Sequence, residues 1–154
     1  MLAFRAVPLD EEPARSLLAA MREEMFALYD DLDLDGPDMP KAGPRELGPP
    51  GGTFLVGSDE TGVAVCGGGV KALPDGACEI KRMYVVGAAR GRGLARELLA
   101  ALEDAARALG YTVVRLDTGP RQPQAERLFR DAGYAPIANF NANPVASFFG
   151  EKRL

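Results

Sequence analysis

The sequence predicts a mixed α/β sheet, and three observations carry that reading. Two short turns, at residues 58–62 and 73–76, join three strand-like runs, and connections this short link antiparallel neighbours. A strand over 77–86, a helix ending near Gly110 and a strand over 112–117 form a β-α-β unit, which demands a parallel pair with a right-handed crossover. The chain has 154 residues, 47% of them hydrophobic, which suits one domain spanning 1–154 with a substantial core.

Each element has a local reason. Residues 2–7 alternate loosely and read as a first strand. Asp10 can cap a helix, Pro13 is tolerated in its first turn, and Leu17, Met21, Met25, Leu28 and Leu32 recur at helical spacing. An acidic run follows (Asp30, Asp31, Asp33, Asp35, Asp38), and residues 35–52 are rich in Pro and Gly. Neither side is long enough to fold alone, so this stretch reads as a long ordered loop or short helical piece. Strands over 53–57, 63–71 and 77–86 make an antiparallel meander. Gly67, Gly68 and Gly69 in the middle strand signal a bulge or a close backbone approach. Leu94, Leu98, Leu102, Ala105 and Leu109 then line one helix face. A buried strand at 112–117 leads to a helix opened by Pro123 and stopped by Gly133. Residues 134–137 and 146–152 read as two last strands.

Composition removes whole chemistries. The chain has no His and no Trp, so Ser-His-Asp and Cys-His pairs, His-based zinc sites and imidazole bases are excluded. Two Cys, Cys66 and Cys78, make neither a disulfide framework nor a metal site, and a reducing cytoplasm is the expected compartment. No apolar run reaches the roughly 20 residues of a membrane span, and the acidic N-terminus does not resemble a signal peptide. A pI near 4.9 argues against nucleic-acid binding. The charge is uneven, however. Residues 1–60 carry a net charge of -8 and residues 61–154 carry +4. Either both halves are solvated surface, or the C-terminal half faces an anion and the N-terminal half a cation.

The stretch Arg90-Gly91-Arg92-Gly93-Leu94-Ala95 lies between a strand and a helix N-terminus. First-turn amides lack internal partners, the helix dipole is positive there, and two glycines permit close approach. This is a cradle for phosphate or pyrophosphate. It is not a P-loop, because no Gly-Lys-Ser/Thr follows. A dinucleotide site would want a third Gly where Arg96 stands, although Asp117 could mimic its ribose-binding acid.

Met83-Tyr84-Val85 followed by Arg90-x-x-Gly93-x-Ala95 resembles the acetyl-CoA loop of the GNAT superfamily of N-acetyltransferases. Residues 122–134, QPQAERLFRDAGY, are similar to the family's second motif, Asn-x-x-Ala-x-x-Leu-Tyr-x-x-x-Gly-Phe/Tyr. The resemblance covers about residues 53–137. It implies a mostly antiparallel sheet of six to seven strands with about four flanking helices and a splayed parallel pair. It implies acetyl-CoA as co-substrate, with no metal. Arg90, Gly91, Arg92, Gly93, Leu94 and Ala95 would hold the pyrophosphate, Met83, Tyr84 and Val85 the pantetheine arm, and Gln122 would contact it. Arg127 and Arg130 either reach the 3′-phosphate or form a solvated face.

The resemblance also places a general base at Glu79, acting directly or through water. The bland alternative is a strand carboxylate paired with Lys81. The family's usual Tyr acid is replaced by Phe129, leaving Tyr84, Tyr111 or Tyr134 as substitutes, or no acid at all. Asp30 and Asp33 in the acidic run could attract a cationic amine or merely solvate a turn. Asn143, in an Asn-rich segment, could read an acceptor or cap turns. The expected activity is acetyl transfer to a small primary amine, amino-acid-like or polyamine-like. The alternatives are acetylation of a protein amine and a CoA-binding module without transfer. Dimers are common among similar proteins.

Overall fold

The computed structural model describes residues 1–154. Its elements are β1 (Ala3–Ala6), α1 (Ala14–Leu28), β2 (Thr53–Ser58), β3 (Ala64–Ala72), β4 (Cys78–Val85), α2 (Leu94–Ala108), β5 (Val113–Thr118), α3 (Pro123–Asp131), β6 (Ala135–Pro136) and β7 (Phe148–Arg153). They form one seven-stranded sheet in the order β1-β2-β3-β4-β5-β7-β6. Every pairing is antiparallel except β4 with β5. The sequence-derived order of elements is therefore reproduced. There are three α-helices rather than about four, with one 3-10 turn at Gly87–Ala89. The Pro/Gly-rich stretch forms turns, because its prolines remove the amide donors a helix needs.

Helix α1 is shorter than its apolar spacing suggests. Asp30 and Asp31 adopt φ of 52° and 68°, left-handed values that end the helix before Leu32. At its start the cap is the Glu12 carboxylate, which accepts the Ser16 amide at 3.1 Å, not Asp10.

Two clusters cover the two sheet faces. One packs Leu98, Leu99, Leu102 and Ala106 of α2 against Val70, Ile80, Val114 and Leu116. The other packs Leu17 and Leu18 of α1, with Ala42 and Leu47 of the long loop, against Phe54 and Val56. The β3 glycines make both approaches possible. A Cβ on Gly68 would lie 2.8 Å from Leu102, and one on Gly69 would lie 2.7 Å from Leu47. The 29–52 stretch is thus an ordered cover, pinned by buried Leu34, Ala42 and Leu47.

Candidate active site

Strands β4 and β5 pair only at Cys78–Val114 and Glu79–Arg115. From Ile80 onward β4 has no neighbour on that side, and the strands diverge. A bulge accompanies the divergence. Gly67 pairs with Tyr84 and Gly69 with Lys81, so two β4 residues, Arg82 and Met83, oppose Gly68 alone. Arg82 takes φ 59°, a strained value for a non-glycine residue. The extra residue resets the alternation: Ile80 and Met83 both pack on the α2 side. Arg82 is sent to the other face, where its Nη2 donates to Leu34 O at 3.3 Å.

At the end of this gap stands the N-terminus of α2. Gly91 and Gly93 have φ of 81° and 76°, and Gly93 is the N-cap. The backbone amides of residues 91–96 donate to no acceptor in the protein. Six adjacent free donors at a positive dipole end form an anion cradle. The arginines beside it are otherwise engaged. Arg90 donates Nε to Val85 O at 2.9 Å and Nη2 to Glu24 at 2.7 Å. Arg92 donates to Ala88 O at 3.4 Å. Arg90 is neutralised by Glu24, so the groups at the cradle without an anionic partner are the amides and the exposed Arg92 and Arg96 side chains.

One cavity of about 580 Å³ joins the cradle to the gap. Its walls include Met83, Tyr84, Val85, Arg90, Gly91, Gly93, Leu94 and Ala95 on one side, and Met21, Met25, Leu34, Met39, Arg82, Asp117 and Asn143 on the other.

The comparisons with known proteins fit this geometry. The family model described as "Acetyltransferase (GNAT) family" matches residues 14–134. The chain belongs to the GNAT acetyltransferase family. An IAA acetyltransferase of Azospirillum brasilense is 37% identical over 113 residues, 71% of this chain and 73% of the relative. An uncharacterized N-acetyltransferase of Schizosaccharomyces pombe is 35% identical over 119 residues, 75% of this chain and 72% of that one. Among solved structures, a candidate acyl-CoA N-acyltransferase from Klebsiella pneumoniae superposes with TM-score 0.75 at 29% identity, covering 100% of this chain and 98% of its own. The protein is an acyltransferase of a family that uses acyl-CoA, and the free amides and unpaired β4 edge fit such a ligand. No helix is long and apolar enough to cross a membrane.

Within this GNAT fold the carboxylates form one network. Glu79 is fully buried and does not line the cavity. Its Oε2 accepts Lys81 Nζ at 3.0 Å and Asn141 Nδ2 at 2.8 Å, while Oε1 has no partner. Asn141 Nδ2 also donates to Asp117 Oδ2 at 2.8 Å, and Asn143 Nδ2 donates to the same oxygen at 3.0 Å. Asp117 and Glu24 are the carboxylates on the cavity wall; Glu24 is paired with Arg90, and Glu79 sits one amide behind Asp117. The Asn-rich loop caps turns, as one of its two readings has it, and also does a job that neither reading named. Side-chain oxygens of Asn139, Asn141 and Asn143 cap turns, and the Nδ2 groups of Asn141 and Asn143 hold the carboxylates.

Other expected residues divide sharply. Gln122 lines the cavity, and its Oε1 accepts from Tyr29 OH at 3.0 Å. Burial raises the Tyr29 pKa. Tyr84 faces the cavity with Arg90 over its ring. Tyr134 does not. Its hydroxyl donates to Glu103 at 2.7 Å beneath α2, and burial, reinforced by that carboxylate, raises its pKa, so it is a packing residue. Tyr111 is likewise spent on Gly51 O. Asp30 pairs with Arg121 of the loop between β5 and α3, and Asp33 accepts the Asp35 amide within its own turn. Neither lines the cavity. Arg130 is held by Glu126, and with Arg127 it borders a separate shallow cleft.

Arg82, Asp117 and Tyr29 escaped the sequence reading as residues that line this cavity. Arg82 left one trace: consecutive cations, Lys81-Arg82, inside a strand.

Proposed function

We propose that the protein transfers an acetyl group from acetyl-CoA to the primary amine of a small molecule, by direct attack in a ternary complex. The carrying observation is the single cavity that links six free amides to the unpaired edge of β4 and ends at a carboxylate.

In this reading the amides of residues 91–96 hold the diphosphate, and the free edge of Met83–Val85 aligns the amide-bearing arm. Gln122, oriented by Tyr29, has its amide nitrogen left to donate to the same arm. Acetyl-CoA supplies a thioester: the amine nitrogen bonds to the acyl carbon as the C–S bond breaks, and CoA leaves as the thiol. Asp117 takes the proton released by the amine. Glu79, bonded through Asn141, positions Asp117 rather than meeting the amine itself. Phe129 has no proton to give, so the thiolate is protonated by Tyr84, by water or by the proton held at Asp117. Positioning contributes most of the acceleration.

Calorimetry with acetyl-CoA, followed by thiol release across a panel of small amines and lysine peptides, tests this. Saturable binding with amine-dependent release of CoA is expected. Binding without release from any amine would favour a CoA-binding module, and release only with peptides would favour a protein acceptor.

A further inference from the structure

The acceptor half of the cavity holds a cation that the protein leaves underused. Arg82 is 8% exposed. Of its five N–H donors only one finds an acceptor, Leu34 O at a long 3.3 Å. Its nearest carboxylate is Asp35 Oδ1, 4.0 Å away, and Asp35 is half exposed and already bonded to Arg22 at 2.7 Å. Burial pulls the Arg82 pKa down; Asp35, Asp117 and Glu79 support the charge and Arg22 opposes it. A mostly buried guanidinium whose remaining donors meet no protein acceptor is well placed to bind an anion that enters the cavity. The bulge that delivers Arg82 to this wall holds its backbone in a strained conformation. Strain and poor pairing on one cavity-lining residue mark a ligand contact.

The rest of this half defines the ligand's other parts. Met21, Met25, Leu32, Leu34 and Met39 make an apolar wall. Asp117 lies on the far side, where the amine must be. None of the acidic-run aspartates reaches the cavity, and Glu24, the other carboxylate on its wall, is already paired with Arg90 at 2.7 Å, so no unpaired carboxylate is left there for a second ammonium group.

We infer that the acceptor is an amine bearing a carboxylate, which Arg82 binds through its planar fork while the apolar body of the molecule lies against the Met/Leu wall. Amino acids with aliphatic or thioether side chains have this chemistry, and polyamines do not. A single guanidinium with Asp117 and Glu79 nearby suits a monoanion better than a phosphate dianion.

The inference rests on the acetyl-transfer reading, but its test need not. In the transfer assay, leucine is compared with 3-methylbutylamine and methionine with 3-(methylthio)propylamine, pairs that differ only in the carboxylate. The acid should win by at least about tenfold in kcat/KM, held mainly in KM, as expected for a charged hydrogen bond. Arg82→Met should level each pair, Arg82→Lys should keep part of the preference, and both should bind acetyl-CoA as the parent does, which checks their folding. Separately, calorimetry of the CoA-loaded protein compares 4-methylpentanoate with 4-methylpentan-1-ol. The acid should bind about tenfold more tightly, and Arg82→Met should abolish that difference. Equal binding of acid and alcohol, or equal turnover within the pairs, overturns the inference even if amines are acetylated. Arg82-dependent binding of the acid with no amine acetylated keeps Arg82 as the carboxylate site but overturns the acetyl-transfer reading, and with it the ligand's role as acceptor.

Discussion

The two halves of the cavity are built differently. The half proposed to hold CoA comes from one continuous stretch, residues 83–96, and works through backbone: a free strand edge and free helix amides. The half proposed for the acceptor comes from α1, the 29–52 loop, the β4 bulge, the end of β5 and the Asn-rich loop, and works through side chains. Backbone groups are the same in every residue, so the first half tolerates sequence change if glycines keep the turn. The second half depends on which side chain stands at each of several distant positions. The contrast between helix ends is similar. Helix α1 closes its N-terminus with Glu12, while α2 leaves its own open.

If the halves are separable, substitutions should strike one and spare the other. The largest effect is expected at Asp117. Asp117→Asn should lower kcat on the order of 10³-fold with acetyl-CoA affinity unchanged, since it removes the proton acceptor and leaves the cradle alone. Glu79→Gln should cost far less, about tenfold, as expected of a positioning group. Steady-state rates with calorimetry separate these outcomes. A larger loss at Glu79 than at Asp117 would move the proton acceptor to Glu79.

Gly93→Val should act on the other half. Its φ of 76° is strained for a β-branched residue, and the side chain would crowd the amides. Loss of two charge-assisted hydrogen bonds predicts acetyl-CoA binding weaker by about 100-fold. Binding of 4-methylpentanoate should persist. If both ligands are lost together, the halves are not independent.

The smallest effect concerns the core beneath both. Burial raises the Cys66 thiol to about 11 and the Cys78 thiol to about 12, from an ordinary value of 9.0. Both are buried in the cluster under α2. Raised folded values favour the neutral thiols, so their contribution is complete below pH 9 and is lost as pH rises through 9 towards 12. The thermal midpoint should therefore fall above pH 9, with no thiol reaction in the native protein at pH 8, and affinity for both ligands should fall together. A midpoint that rises through this range would contradict the burial argument.

Much of the fold was legible because it is local. Gly67–Gly69 announced a close approach, Gly93 and the Leu-spaced helix announced the cradle, and the 73–76 turn announced a hairpin. Helix α1 was overextended, because apolar spacing continued to Leu32 while two left-handed aspartates stopped the chain. At the site, Met83, Tyr84, Val85, Arg90, Gly91, Gly93, Leu94, Ala95 and Gln122 were singled out and line the cavity, while Arg92 was singled out and does not. Glu79 and Tyr134 carry the residue types that proton transfer needs, but packing turned both away. Asp30 and Asp33 looked open to a cation; Asp30 is paired with Arg121 of the β5–α3 loop and Asp33 accepts an amide in its own turn.

The sequence by itself determined the order of elements, the family and the open glycine-flanked start of α2. Periodicity, turn residues and glycine spacing act over a few neighbours and need no partner. Only the tertiary structure decided which charges face the acceptor. A one-residue bulge in β4 sends Arg82 to the cavity, and the turn-capping of the Asn-rich loop aims two amides at Asp117. Those outcomes depend on strand register and on contacts between segments tens of residues apart. In a sheet, where facing alternates with every residue, one insertion reverses what a side chain sees.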